Sequence, residues 1–96
     1  MSVGILWLSF HLPDCHSLKE KRSVIKPMLA RLQREFNLSV IEAGYHDLWQ
    51  SAQLLAVCAA LNRPQAEALL NQVIRFFESH WPDLLLTEEK IEIINL

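Results

Sequence analysis

Pro13-Asp14 followed by His16-Ser17-Leu18-Lys19-Glu20-Lys21-Arg22 marks the point where this chain changes its hydrophobic period. Before it, residues 3–12 alternate: Leu6, Leu8, Phe10 and Leu12 share one parity, and Val3, Ile5, Trp7, Ser9 and His11 share the other. A two-residue period is the signature of a strand, and Pro13-Asp14 ends it. After it, Leu18, Ile25, Met28, Leu29, Leu32 and Phe36 fall on one stripe at helical spacing. Ser17 and Glu20 have capping-box spacing, in which a hydroxyl and a carboxylate satisfy orphan donors at a helix start. The first helix is therefore expected from a Ser17 cap to about residue 36. Pro27 lies inside it, on the solvent side by projection, where a bend is tolerable; a break before Pro27 is the alternative.

Working outward, Asn37 is expected to cap this helix in a left-handed conformation. A second strand follows over residues 38–45, a connection over 44–50, and a third strand over 53–61 that is apolar on both faces. Asn62 caps a second helix with Pro64 in its first turn, a favoured place for proline. Ala66, Leu69, Leu70, Val73 and Phe77 form its buried stripe, with Trp81 at its end and Pro82 as its stop. The last strand is expected over residues 87–95. The order β-α-β-β-α-β is the split-βαβ, ferredoxin-like arrangement of an α+β fold. Right-handed crossovers place both helices on one face of a four-stranded antiparallel sheet. The expected strand order is fourth, first, third, second.

Composition bounds the function. Ninety-six residues, 51% hydrophobic and 21% charged, describe a globular chain with one domain over residues 1–96. A net charge of −2 argues against non-specific nucleic-acid binding by the whole surface. The distribution is uneven, however: residues 19–34 hold six basic side chains against Glu20 alone, net +5, so the other eighty residues carry −7. Cys15 and Cys58 make no disulfide framework and are read as reduced thiols of a cytoplasmic protein. The apolar start lacks the features of a secretory leader, and no segment is long enough for a membrane span.

With these motifs in place, the chain resembles the YlxP-like family of small bacterial proteins. The residues that carry the resemblance are His16-Ser17-Leu18-Lys19-Glu20-Lys21-Arg22, Phe36-Asn37-Leu38-Ser39-Val40, Glu42, and Asp47-Leu48-Trp49-Gln50. The resemblance implies a ferredoxin-like fold and no established activity. Genes of such proteins lie beside translation-initiation and ribosome-binding-factor genes in many bacteria, which implies a ribosome-linked role. Pro27 departs from the family pattern.

The candidate site is the basic run. Arg22, Lys26 and Lys19 project at about 60°, 100° and 120° from the centre of the apolar stripe, forming one ridge. Lys21 lies on the other flank, close to the edge of the core. Convergent cations of this kind suit phosphate groups, which makes RNA or a ribosomal particle the expected partner of Lys19, Lys21, Arg22 and Lys26. The alternative is a solvated face whose aliphatic stems cover the core. A second candidate surface is the open side of the sheet, where Val3, Ile5 and Trp7 are uncovered, with Trp49 as a further anchor; the alternative for Trp49 is packing that closes the sheet end, its indole N–H on a carbonyl. The open face motivates a homodimer, or a structural or small-ligand module. Sequence-specific DNA binding is not expected.

Other groupings carry less. His11, Asp14, Cys15 and His16, with His46 and Asp47, are metal-ligating types without metal-ligand spacing. Cys15 beside His16 is a poor thiol–imidazole pair, because neighbours in sequence rarely face one another. Glu42 and Asp47 as paired carboxylates are equally explained by an edge strand and a turn. No catalytic residue, metal or cofactor is assigned.

Overall fold

Leu6, Leu8, Phe10 and Leu12 are all buried on one side of the first strand, and both helices pack there. In the computed structural model, which describes residues 1–96, the elements are β1 (Ser2–His11), α1 (Leu18–Glu35), β2 (Ser39–Gly44), β3 (Ser51–Ala60), α2 (Arg63–His80) and β4 (Leu85–Asn95). The strands form one antiparallel sheet in the order β2-β3-β1-β4. This is the ferredoxin-like α+β arrangement. Ala52, Leu54, Ala56 and Cys58 of β3 join the inner side of β1, and Ile25, Met28, Leu32, Leu70, Val73 and Phe77 close the core from the helices. Gly4 is required for this close approach: a Cβ there would stand 2.9 Å from Cys58 Sγ and 3.0 Å from Leu70 Cδ1.

Both helices start with the same device. Ser17 Oγ accepts the Glu20 amide at 3.1 Å, and the Glu20 carboxylate accepts the His16 amide at 2.8 Å. At α2, Asn62 Oδ1 accepts from Gln65 N at 2.9 Å while Gln65 Oε1 accepts from Leu61 N at 2.7 Å. In each case the third helical residue reaches the amide before the cap rather than that of the cap itself, so two orphan donors are still satisfied. The second of these boxes, Asn62 with Gln65, escapes a reading that stops at the cap residue. Helix α1 runs unbroken through Pro27, which is exposed, as is Ser23, the residue whose carbonyl loses its helical partner.

Two expectations need correction. Asn37 is not left-handed: α1 ends at Phe36 in extended backbone (φ −129°), whose amide bonds Leu32 O. A three-residue turn, Leu38 N to Phe36 O at 2.9 Å, then reverses the chain into β2. The residue with positive φ is Tyr45 (φ 60°), at the end of β2. Strand β4 also begins two residues earlier than the alternation suggests. Its register slips at Thr87, so that Ser9 pairs with Glu88 but Phe10 pairs with Leu86. The bulge restores Leu86 to the core side and breaks the period that the sequence displays.

The outer side of the sheet has no helix. Along it, Ile94, Val3 and Ala59 form one row, Glu92, Ile5 and Val57 the next, and Lys90, Trp7, Leu55 and Ile41 a third. The two edges are treated differently from this face. On β2 the outward carbonyls of Val40 and Glu42 are bonded by Gln33 Nε2 (3.2 Å) and the His46 ring (3.0 Å). On β4 the exposed edge carries Glu88, Glu89, Lys90 and Glu92. Charges and capped carbonyls both discourage a further strand from pairing.

Candidate functional site

Lys19, Arg22 and Lys26 are all exposed, and none takes part in an ion pair. Gln33 shows which flank of α1 lies toward the β2 edge. It lies on the same flank of α1 by helical projection, and its amide reaches the edge carbonyl of Val40. By projection the ridge is on the α1 flank nearer the β2 edge. From Lys19 to Lys26 it extends about 10 Å along the helix axis. Arg31, by contrast, lies on the α2 side, its guanidinium 5.4 Å from the centroid of the Phe76 ring. It belongs to the helix–helix contact.

Lys21 does not join this ridge. It is only 2% exposed, among the buried residues of α1. Its ammonium donates to Tyr45 O at 2.7 Å and Leu48 O at 2.8 Å, and lies 2.9 Å from Glu42 Oε2. Two of its three N–H donors are taken by these carbonyls, and its charge is met by the Glu42 carboxylate. The buried ammonium is not available to a phosphate. Glu42 faces inward from β2 opposite Leu54, and Lys21 is the sole partner of its buried Oε2. The pair ties α1, β2 and the β2–β3 connection together.

That connection is pinned at several further points. Tyr45 O also accepts the Leu48 amide at 3.0 Å, closing a turn, and Leu12 N donates to Gln50 O at 2.9 Å. Gln50 Nε2 donates to Cys15 O at 3.1 Å, joining this connection to the one between β1 and α1. Trp49, 46% exposed, meets the His16 ring edge-on at 6.5 Å between centroids. Tyr45 is 49% exposed in its left-handed conformation, which is uncommon for a bulky side chain. Thus residues 45–50 are largely a backbone-anchored turn that leaves the Tyr45 and Trp49 rings half-exposed. Tyr45, Gln33 and Gln50 escape a reading based on residue type, because their roles depend on carbonyls supplied by distant segments.

The helix start is not an anion site. Ser17 takes the Glu20 amide, the Glu20 carboxylate takes the His16 amide just before the cap, and that carboxylate repels further negative charge. No three His, Cys, Asp or Glu side chains converge in a way that would hold a metal, so His11, Asp14, Cys15, His16 and His46 form no common centre. His46 is committed to the Glu42 carbonyl. Burial pushes the Cys15 thiol above its ordinary range, with Glu20 and then Asp14 adding to the effect. A nucleophilic cysteine requires the opposite shift. Cys58, on the core side of β3, is likewise raised by burial.

Of the proposed interface residues, Val3, Ile5 and Trp7 share the outer sheet face, whereas Trp49 belongs to the loop end beside His16. Lys90 covers Trp7, its Nζ 5.4 Å from the ring centroid, and pairs with Glu92 at 3.2 Å. The largest hollow, about 330 Å³, is lined by Phe77, Glu78, Pro82 and residues 84–86 and borders none of these groups. No helix is long and apolar enough to cross a membrane.

Comparison with known proteins adds two findings. Residues 3–91 match the model of a family described as "Protein of unknown function (DUF503)". The chain is also 39% identical over 79 residues to "Uncharacterized protein YlxP" of Bacillus subtilis (strain 168), a match covering 82% of this chain and 85% of that protein. The span matched by the family includes Lys21, Glu42 and the whole turn that they anchor.

Proposed function

The chain belongs to the DUF503 family, and on that premise we propose that it is a non-enzymatic protein that binds RNA, free or in a ribosomal particle, through phosphate contacts from Lys19, Arg22 and Lys26. The observation that carries this reading is the ridge itself: three exposed cations on one helix flank with no acidic partner. Lysines and arginines on a solvated helix commonly find i,i+4 acids, as Arg63 does with Glu67 on α2 at 2.8 Å. Here none is provided, on a protein whose remaining surface is acidic. Removing Lys21 from the set sharpens the reading, because the three that remain lie together on the flank nearer the β2 edge. A test is to isolate the protein from cells at low salt with and without nuclease. RNA should accompany the wild type and be absent from the Lys19→Gln, Arg22→Gln, Lys26→Gln triple variant. A wild type that carries no RNA or ribosomal material would overturn the proposal.

A second surface favours a second reading, self-association across the open sheet face. Both sheet edges are blunted, while Val3, Ile5, Leu55, Val57 and Ile41 have no helix over them and Trp7 carries only the Lys90 side chain. A sheet of four strands with a ten-residue central strand presents about 20 by 33 Å. Two such faces together bury about 1,200 Å², the lower end of what a stable dimer needs. The occupant that this favours is a second copy, packed face to face around a two-fold axis. Light scattering over a wide concentration range should then report a dimer, and a strict monomer at high concentration would remove this reading.

A further inference from the structure

We infer that the β2–β3 turn is a stacking platform for unpaired bases, so that the RNA bound by this protein is single-stranded. The inference rests on the phosphate-binding reading of the ridge and specifies its substrate class. Tyr45 and Trp49 are the two half-exposed aromatic rings of the turn. The Lys21 ammonium holds the turn against α1 through the carbonyls of Tyr45 and Leu48. Trp49 also touches His16, three residues before Lys19, where the ridge begins. Aromatic rings and unpaired cations therefore occupy the same end of the molecule.

The pairing of these two chemistries selects the ligand. A cationic track combined with exposed rings is how proteins hold single strands, since every unpaired base offers a π-face. In an A-form duplex those faces are stacked on one another, and the rings of this turn find no partner. The sheet face offers no equivalent platform, because its central aromatic residue, Trp7, is already covered by Lys90. Tyr45 is moreover held in a sparsely populated backbone region that only a well-anchored turn sustains. Lys21 and Glu42 are accordingly positioning residues: they fix the rings and contact no RNA.

The test compares a short single-stranded oligouridine with an RNA duplex of the same length at low salt, read by anisotropy and by quenching of tryptophan emission. The wild type should bind the single strand more tightly and lose emission on binding. Trp49→Ala and Tyr45→Ala should each weaken the single strand by about 5- to 150-fold, the range expected for one stacked base, and leave the duplex unchanged. Trp49→Phe should keep the affinity but lose most of the quenching, which separates stacking from misfolding. If both alanine variants bind the single strand like the wild type while the triple glutamine variant binds neither probe, the platform is wrong and the phosphate ridge stands. If the wild type binds neither probe, both readings fall.

Discussion

Replacing Lys21 by Met should destabilise the protein by about 3–5 kcal/mol, the cost of breaking a buried ion pair by removing one partner. The expectation follows from what the methionine leaves behind. Glu42 Oε2 loses its only partner, and the carbonyls of Tyr45 and Leu48 each lose a charge-assisted hydrogen bond. For a chain of this size, total stability is about 5–14 kcal/mol, so the loss is a large fraction of the whole. Denaturant unfolding followed by circular dichroism measures it. Adding Glu42→Leu to Lys21→Met should recover part of the deficit, because an apolar pair no longer strands a carboxylate. Full recovery is not expected, since the Leu48 carbonyl stays unmatched and Tyr45 O keeps only the Leu48 amide. A single variant that unfolds within about 0.5 kcal/mol of the wild type, the range of ordinary surface changes, would mean that the buried lysine anchors nothing.

The second large effect concerns the open face. Trp7→Glu should weaken self-association at least about 100-fold, because a carboxylate buried at the centre of an apolar interface costs several kcal/mol. The monomer should tolerate the change. Position 7 is only half-buried in the monomer, where water still reaches a glutamate. Sedimentation at several concentrations separates the two effects, with thermal unfolding at low concentration as the control for folding. A wild-type dimer that survives Trp7→Glu would place the interface elsewhere on the molecule.

Much of the fold is legible in the sequence because its signals are local. The period change at Pro13-Asp14, the Ser17 and Asn62 caps, and the two-sided apolar third strand each depend on residues within a few positions. Pro27 is harmless for a local reason too, its place on the exposed side. Where the sequence misleads, the cause is a distant partner. Lys21 reads as one of four cations because its type is charged, although its projection falls near the core edge. The partners that bury it are backbone carbonyls 24 and 27 residues away, and a carbonyl has no sequence signature. The left-handed position shows the same limit. Asn37 is the suitable residue type, yet Tyr45 takes positive φ because the turn around it is bonded to Lys21 and to Leu48. The Thr87 bulge hides the start of β4 by shifting the alternation one place.

If Lys19, Arg22 and Lys26 hold RNA phosphates as proposed, the salt dependence of binding reports it. For three phosphate contacts to a single strand, log Kobs should fall with log salt concentration at a slope of about −2. Each Gln substitution at Lys19, Arg22 or Lys26 should flatten that slope by about 0.7, and the triple variant should show almost none. Gln substitution of Arg34, which is also exposed but lies beyond the ridge, should leave it unchanged. A triple variant that keeps both the affinity and the slope of the wild type would contradict the account.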